Sequence, residues 1–142
     1  MTKQQAQFSL KVVTVDDSPI IAERLQTILD QIEQVVFAGN ATNIATALAL
    51  IEREQPQVVV LDINLRADLP MLNGINLLIM LRKKYIGIKI IMLTNLTHEQ
   101  YRNTCLVHGA DYFLDKSNEF DKIAEIVGGF TPLAGLNILS HG

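Results

Sequence analysis

Short runs of β-branched and aliphatic residues alternate with longer amphipathic segments along most of this chain. Each run predicts a strand and each amphipathic segment a helix, so the pattern predicts five βα units in series. The predicted strands are residues 10–15, 35–38, 58–61, 89–93 and 112–114. Because consecutive βα units place their strands parallel, we expect one five-stranded parallel sheet with helices on both faces.

Capping residues and helix breakers indicate where the predicted helices begin and end. Ser18-Pro19 supplies an N-cap and a first-turn proline for the first helix, and the second helix ends before Pro56. Residues 97–100, Thr-His-Glu-Gln, have the form of a capping box that opens the fourth helix. The third and fifth helices are predicted at residues 74–85 and 118–127, the latter broken by Gly128-Gly129.

The composition is typical of one globular domain. The chain has 142 residues, of which 49% are hydrophobic and 19% are charged, with a formal net charge of −3. The sequence has no basic run that would predict direct nucleic-acid binding, and no apolar segment as long as a membrane span. The single cysteine, Cys105, fits a reducing compartment, so we expect a soluble cytoplasmic protein. We expect residues 129–142 to be a tail or a truncated linker.

Polar side chains follow four of the five predicted strands, at the point where each strand ends. These side chains are Asp16 and Asp17, Asp62, Thr94 and Asn95, and Asp115 and Lys116. Ligands of parallel sheets bind beyond the carboxyl ends of the strands. The sequence therefore predicts a functional site that combines three carboxylates, a hydroxyl and an ammonium group.

The chemistry of this set favours a phosphoryl group held by a cation. Two carboxylates about 4 Å apart repel by about 4 kcal/mol at an effective dielectric of about 20, so Asp16, Asp17 and Asp62 require a proton or a cation. Hard carboxylate ligands suit Mg²⁺. Lys116 balances a further anion, Thr94 donates a hydrogen bond to it, and an aspartate here can act as a nucleophile. The ordinary alternative is that Asp17 or Ser18 only caps a helix and Lys116 is a surface lysine.

Four ordered segments resemble those of the receiver domains of bacterial response regulators. The segments are Val15-Asp16-Asp17-Ser18, Leu61-Asp62-Ile63-Asn64, Leu93-Thr94-Asn95 and the run from Gly109 to Lys116. The resemblance covers residues 8–128 and implies a doubly wound, flavodoxin-like (βα)5 fold with strand order 2-1-3-4-5.

The resemblance also implies a role for each site residue. Asp62 takes a phosphoryl group from phosphohistidine on a sensor histidine kinase or phosphotransfer protein. Mg²⁺ is bound by Asp16, Asp17, Asp62 and the backbone carbonyl of Asn64, with Asp16 acting through water. Thr94 and Lys116 contact the phosphoryl oxygens, and Thr94 and Phe113 form the switch. A downstream protein binds the face built by helix four, strand five and helix five.

Three features depart from the family pattern. Residues 66–69, after Asp62, form an insertion that either changes the lifetime of the phosphoryl group or is a tolerated surface loop. Phe113 lacks the hydroxyl of the tyrosine that is common at its position, and Asn95 replaces a small residue.

The apolar run at residues 77–81 is either buried or an interface for a homodimer.

Competing functions remain open. An Asp-nucleophile phosphohydrolase usually has a second aspartate two residues after the first, where this chain has Asn64. A degenerate receiver that only binds partners is a further alternative. The chain can also be a receiver module cut from a longer DNA-binding regulator. We favour a signalling module that catalyses only its own phosphorylation and dephosphorylation.

Overall fold

The computed structural model describes residues 8–65 and 73–132, and within them strands and helices alternate. The elements are β1 (Leu10–Val15), α1 (Pro19–Asp30), β2 (Val35–Ala41), α2 (Ile44–Glu54), β3 (Val58–Leu61), α3 (Gly74–Lys84), β4 (Lys89–Thr94), α4 (Glu99–Val107), β5 (Tyr112–Asp115) and α5 (Lys122–Gly128). All strand pairs are parallel, in the order β2-β1-β3-β4-β5. The predicted flavodoxin-like α/β fold is therefore confirmed.

Two apolar cores lie on opposite faces of the sheet. On one face, strand residues such as Val59 pack with α2, α3 and α4, which contribute Ile51, Leu78 and Cys105 among others. On the other face, α1 and α5 pack against the sheet through residues that include Leu25. Side chains alternate between the two faces along each strand, so both faces need apolar cover. The polar side chains at the strand ends therefore lie along one edge of the sheet, outside both apolar cores.

Strand β2 is longer than predicted. We expected it to end at residue 38, before a Gly-Asn turn, but it continues to Ala41. The pairing register with β1 shifts between Val12 and Val13, and Gly39 takes a φ of 136° at this irregularity. A glycine tolerates that backbone conformation, so the strand bends and continues instead of ending. The extension places Asn40 beside Thr14 of β1.

The predicted starts of α4 and α5 are wrong. His98 is the N-cap of α4, and no side chain caps it, so the predicted capping box does not form. Helix α5 begins at Lys122 because residues 115–119 form a closed turn, in which the Glu119 amide donates to the Asp115 carbonyl. Strands β4 and β5 each extend one residue beyond the prediction, to Thr94 and Asp115.

The remaining predictions concern the apolar run of α3, membrane spans, and two segments that lie partly or wholly outside the described residues. Of the apolar run at 77–81, Leu77, Leu78 and Leu81 are buried, whereas the neighbouring Met80 is 40% exposed. No helix in the described ranges is long and apolar enough to cross a membrane. The predicted insertion at 66–69 and residues 133–142 of the predicted tail at 129–142 lie outside the described residues.

Candidate functional site

Three aspartates meet at the carboxyl-terminal edge of the sheet. Asp16 and Asp17 follow β1 and Asp62 follows β3, its neighbour in the sheet. One carboxylate oxygen from each lies within 4.8 Å of the others, and we call this set the acidic cluster. Asp16 and Asp62 are only 3% and 5% exposed, which distinguishes them from ordinary surface carboxylates.

Lys116 joins the two buried carboxylates. Its Nζ donates to Asp16 Oδ2 at 2.7 Å and to Asp62 Oδ2 at 2.9 Å. Burial by itself would lower the pKa of Lys116, but the hydrogen bonds to Asp16 and Asp62 outweigh it and raise that pKa. Burial raises the pKa of Asp16, against the opposing hydrogen bond from Lys116. The ammonium group therefore stays charged and compensates part of the negative charge.

Backbone amides fix the other oxygen of each buried carboxylate. Asp16 Oδ1 accepts from the Ser18 amide at 2.8 Å, and Asp62 Oδ1 accepts from the Asn64 amide at 3.2 Å. Each is an Asx turn, in which the aspartate side chain accepts a hydrogen bond from the backbone amide two residues later. Ser18 also caps α1, since its hydroxyl accepts from the Ile21 amide. The carboxylates are thus held in place before any ligand binds.

Thr94 and Asn95 form the next part of the edge. Thr94 is fully buried at the end of β4, and its Oγ1 accepts from the Leu96 amide at 3.2 Å. The Thr94 carbonyl accepts from the Lys116 amide at 2.9 Å, which fixes Lys116 beside β4. The Ser117 hydroxyl lies 3.1 Å from Asn95 Oδ1 and donates to it across the two loops. Asn64 is exposed at the same edge.

Phe113 lies inside the fold. It is 5% exposed and packs in the core shared by α2, α3 and α4. The guanidinium carbon of Arg102, on α4, lies 5.7 Å from the centre of the Phe113 ring, and Arg102 Nη1 donates to the Phe113 carbonyl at 3.4 Å. Arg102 of α4 therefore contacts both the ring and the backbone carbonyl of Phe113 on β5.

The donor set fits a divalent metal ion. Three carboxylates with converging oxygens are hard ligands for a cation such as Mg²⁺ or Ca²⁺. The candidate site thus combines a carboxylate cluster that could hold a cation with a fixed lysine and a buried hydroxyl.

Sequence reasoning missed two polar residues directly behind the acidic cluster. Thr14 reads as one more β-branched strand residue, and Asn40 reads as part of a turn. In the fold, the Thr14 hydroxyl donates to Asn40 Oδ1 at 2.7 Å, and Asn40 Nδ2 donates to the Asp16 carbonyl at 3.1 Å. A hydroxyl inside an otherwise aliphatic strand was the available signal, because such a group requires a buried partner.

Known proteins resemble this chain in sequence and in fold. Residues 12–128 match the family model of the response regulator receiver domain. The transcriptional regulatory protein MctR of Rhizobium johnstonii is 28% identical over 126 residues, which cover 89% of this chain and 56% of that protein. A protein-glutamate methylesterase/protein-glutamine glutaminase of Carboxydothermus hydrogenoformans is 35% identical over 115 residues, which cover 80% of this chain and 32% of that protein.

A solved structure supports the same assignment. The response regulator domain of Thermotoga maritima CheB has a TM-score of 0.71 and 28% identity, over 84% of this chain and 90% of that chain. The chain spans about half, or less, of the length of the curated relatives described above. The family match extends over most of the chain and includes every residue of the acidic cluster. The chain therefore belongs to the response regulator receiver domain family and is a receiver domain of a two-component response regulator.

Proposed function

We propose that Asp62 is the residue that accepts the phosphoryl group, with Mg²⁺ as the cofactor. The observation that carries this proposal is the buried arrangement in which Lys116 bridges Asp62 and Asp16 at the carboxyl ends of β1, β3 and β5. Among the cluster members, Asp62 is the one that follows β3, which lies in the middle of the sheet. The donor is phosphohistidine on a sensor histidine kinase or phosphotransfer protein, and the reaction takes place in the cytoplasm.

The side chains have separate roles in the transfer. An oxygen of Asp62 forms a bond to phosphorus while the bond between phosphorus and the imidazole nitrogen breaks; the nitrogen keeps that electron pair. Asp16, Asp17, Asp62 and the Asn64 carbonyl would hold Mg²⁺, which when bound supplies countercharge to the phosphoryl oxygens. Lys116 and Thr94 donate hydrogen bonds to those oxygens.

Output goes through the face formed by α4, β5 and α5. Thr94 donates to the new phosphoryl group and Phe113 repacks with it, which shifts α4. Two observations support this choice: Cys105 is the buried residue of α4, and Arg102 connects that helix to Phe113. A helix with few buried anchors moves at low cost. The downstream target is a protein, and this chain itself does not bind nucleic acid directly.

Labelling with acetyl phosphate tests the acceptor assignment. We expect the wild-type chain to gain one phosphoryl group in the presence of Mg²⁺ and none in the presence of a chelator, as measured by intact-protein mass. Asp62→Asn should abolish the gain, because an amide is a poor nucleophile. Asp30→Asn is the matched control, since Asp30 is exposed at the end of α1. Full labelling of the Asp62→Asn variant would rule out Asp62 as the acceptor.

A further inference from the structure

A chain of two hydrogen bonds runs from the core to the backbone of the acidic cluster. Thr14 is 0% exposed and faces Asn40 in the register of β1 and β2. The Thr14 hydroxyl lies 2.7 Å from Asn40 Oδ1, and Asn40 Nδ2 lies 3.1 Å from the Asp16 carbonyl oxygen. None of these groups belongs to the set of carboxylate, hydroxyl and ammonium groups that the proposed reaction uses.

The chemistry of the three groups fixes the direction of both bonds. A backbone carbonyl only accepts, so the Asn40 amide must present its NH₂ group to Asp16. The Asn40 carbonyl oxygen is then turned toward Thr14, whose hydroxyl donates to it. The Asp16 carbonyl thereby selects the orientation of the Asn40 amide, and the Thr14 hydroxyl holds the amide in place by donating to its oxygen. Without the hydroxyl, the Asn40 amide loses one of the two partners that hold it in place.

The Asp16 carbonyl, which accepts from Asn40, lies where the pairing of β1 with β2 ends. The pairing of β1 with β2 ends at Val15 and Ala41, and the Asp16 amide still donates to the Ala41 carbonyl. The Asp16 carbonyl belongs to the next peptide group, which joins Asp16 to Asp17. A rotation of this peptide group would move both carboxylates with respect to Asp62. Asn40 thus supplies a fixed hydrogen bond just where the ladder between the strands stops.

We propose that Asn40 and Thr14 are positioning residues that hold Asp16 and Asp17 in the arrangement that binds the divalent cation. This inference rests on the proposed function, because it assigns Mg²⁺ to the acidic cluster. Residues that orient metal ligands commonly change metal affinity by about 10- to 100-fold when they are removed. Asn40 acts on the backbone and not on a ligand oxygen, so we expect the lower end of that range for its removal.

Two substitutions of Thr14 separate positioning from stability. Thr14→Val keeps the shape of the side chain and removes the hydroxyl, whereas Thr14→Ser keeps the hydroxyl and removes a buried methyl group. The readout is the dissociation constant for Mg²⁺, measured by calorimetry or by amide shifts in NMR spectra. We expect about threefold weaker binding for Thr14→Val, binding within about twofold of wild type for Thr14→Ser, and about tenfold weaker binding for Asn40→Ala.

The controls distinguish this inference from the proposed function. Ile51→Val removes a methyl group from the core under the sheet and should leave Mg²⁺ affinity unchanged, whatever it does to stability. Equal affinities for Thr14→Val and Thr14→Ser, or an unchanged affinity for Asn40→Ala, would overturn the positioning role while wild-type binding still supports the metal site. Failure of the wild-type chain to bind Mg²⁺, or binding that Asp62→Asn does not weaken, would overturn both proposals. The Thr14 pair decides the matter even where Asn40→Ala does not fold.

Discussion

Replacing Lys116 by methionine should destabilise the fold in the absence of Mg²⁺ and increase the stabilisation that Mg²⁺ provides. The side chain of Lys116 is 8% exposed, and those of its partners Asp16 and Asp62 are 3% and 6% exposed. Methionine fills a similar volume but cannot donate a hydrogen bond or carry a charge. The two buried carboxylates would therefore lose the ammonium group that links them.

The structure sets the size of this effect. The oxygens of the acidic cluster lie within 4.8 Å of one another, and two unit charges 4.8 Å apart repel by about 3.5 kcal/mol at an effective dielectric of about 20. Removing one partner from a buried ion pair costs about 3–5 kcal/mol in proteins where it has been tested. The remaining carboxylates can share a proton, which relieves part of the repulsion. We therefore expect a loss of about 3 kcal/mol in the free energy of unfolding at neutral pH.

Urea unfolding with and without Mg²⁺ measures both parts of the prediction. Lys116 competes with the metal for Asp16 and Asp62, so the variant should bind Mg²⁺ more tightly and gain more stability from it than the wild type. Lys84→Met is the control, because Lys84 forms a pair with Glu52 at the same 2.7 Å distance on the exposed surface, where the expected change is negligible. A loss below about 1 kcal/mol for Lys116→Met would refute the reasoning from burial. An Mg²⁺ increment no larger than that of the wild type would refute the competition.

Three further predictions concern other parts of the fold. Gly74→Ala should lower the free energy of unfolding and weaken Mg²⁺ binding, because a Cβ at residue 74 would lie 2.0 Å from the Asp62 carbonyl oxygen. Gly87→Ala is the control for both the unfolding and the binding measurement, because a Cβ at residue 87 would have no atom within 4 Å. Arg82→Met should lower the free energy of unfolding by about 2–3 kcal/mol, because its guanidinium donates to the Ile88 and Gly109 carbonyls, each at 2.7 Å, while an unchanged urea midpoint would contradict this. Burial raises the pKa of Cys105 to about 11, so iodoacetamide at pH 8 should label it only after unfolding; rapid labelling of the native chain would show the thiol to be accessible.

The strands and the acidic cluster were predictable from the sequence because their signals are local. A continuous apolar run such as Val58–Leu61 indicates a strand with two covered faces, and parallel order follows from the helix between each pair of strands. Once the strands are parallel, residues that follow them must share one edge. Asp16 and Asp62, 46 positions apart in the sequence, were therefore expected together before any contact was known.

The errors concern the ends of three elements, namely the start of α4, the end of β2 and the start of α5. Thr97 to Gln100 has the pattern of a capping box, but the chain enters α4 one residue later, at His98. The Gly39-Asn40 pair has the composition of a turn, but pairing with β1 continues through both residues to Ala41. In α5 the first turn is replaced by the bonds between Asp115 and Glu119. Propensity cannot report the second and third outcomes, because one depends on pairing with another strand and the other on a competing turn; the structure does not explain the first.

Buried polar residues connect the fold to the function. In the described ranges, the buried polar and charged residues are Thr14, Asp16, Asp62, Thr94, Lys116 and Thr131. Thr131 has a local structural role, since its hydroxyl donates to the Gly128 carbonyl at the end of α5. Four of the others form the candidate site itself. A buried polar side chain costs stability unless it is paired, so such residues persist where function or a specific local bond requires them. The Thr14 hydroxyl donates to Asn40 Oδ1, and Asn40 Nδ2 in turn donates to the Asp16 carbonyl. By this reasoning, Thr14 and Asn40 belong with the functional site and not with the apolar core that surrounds Thr14.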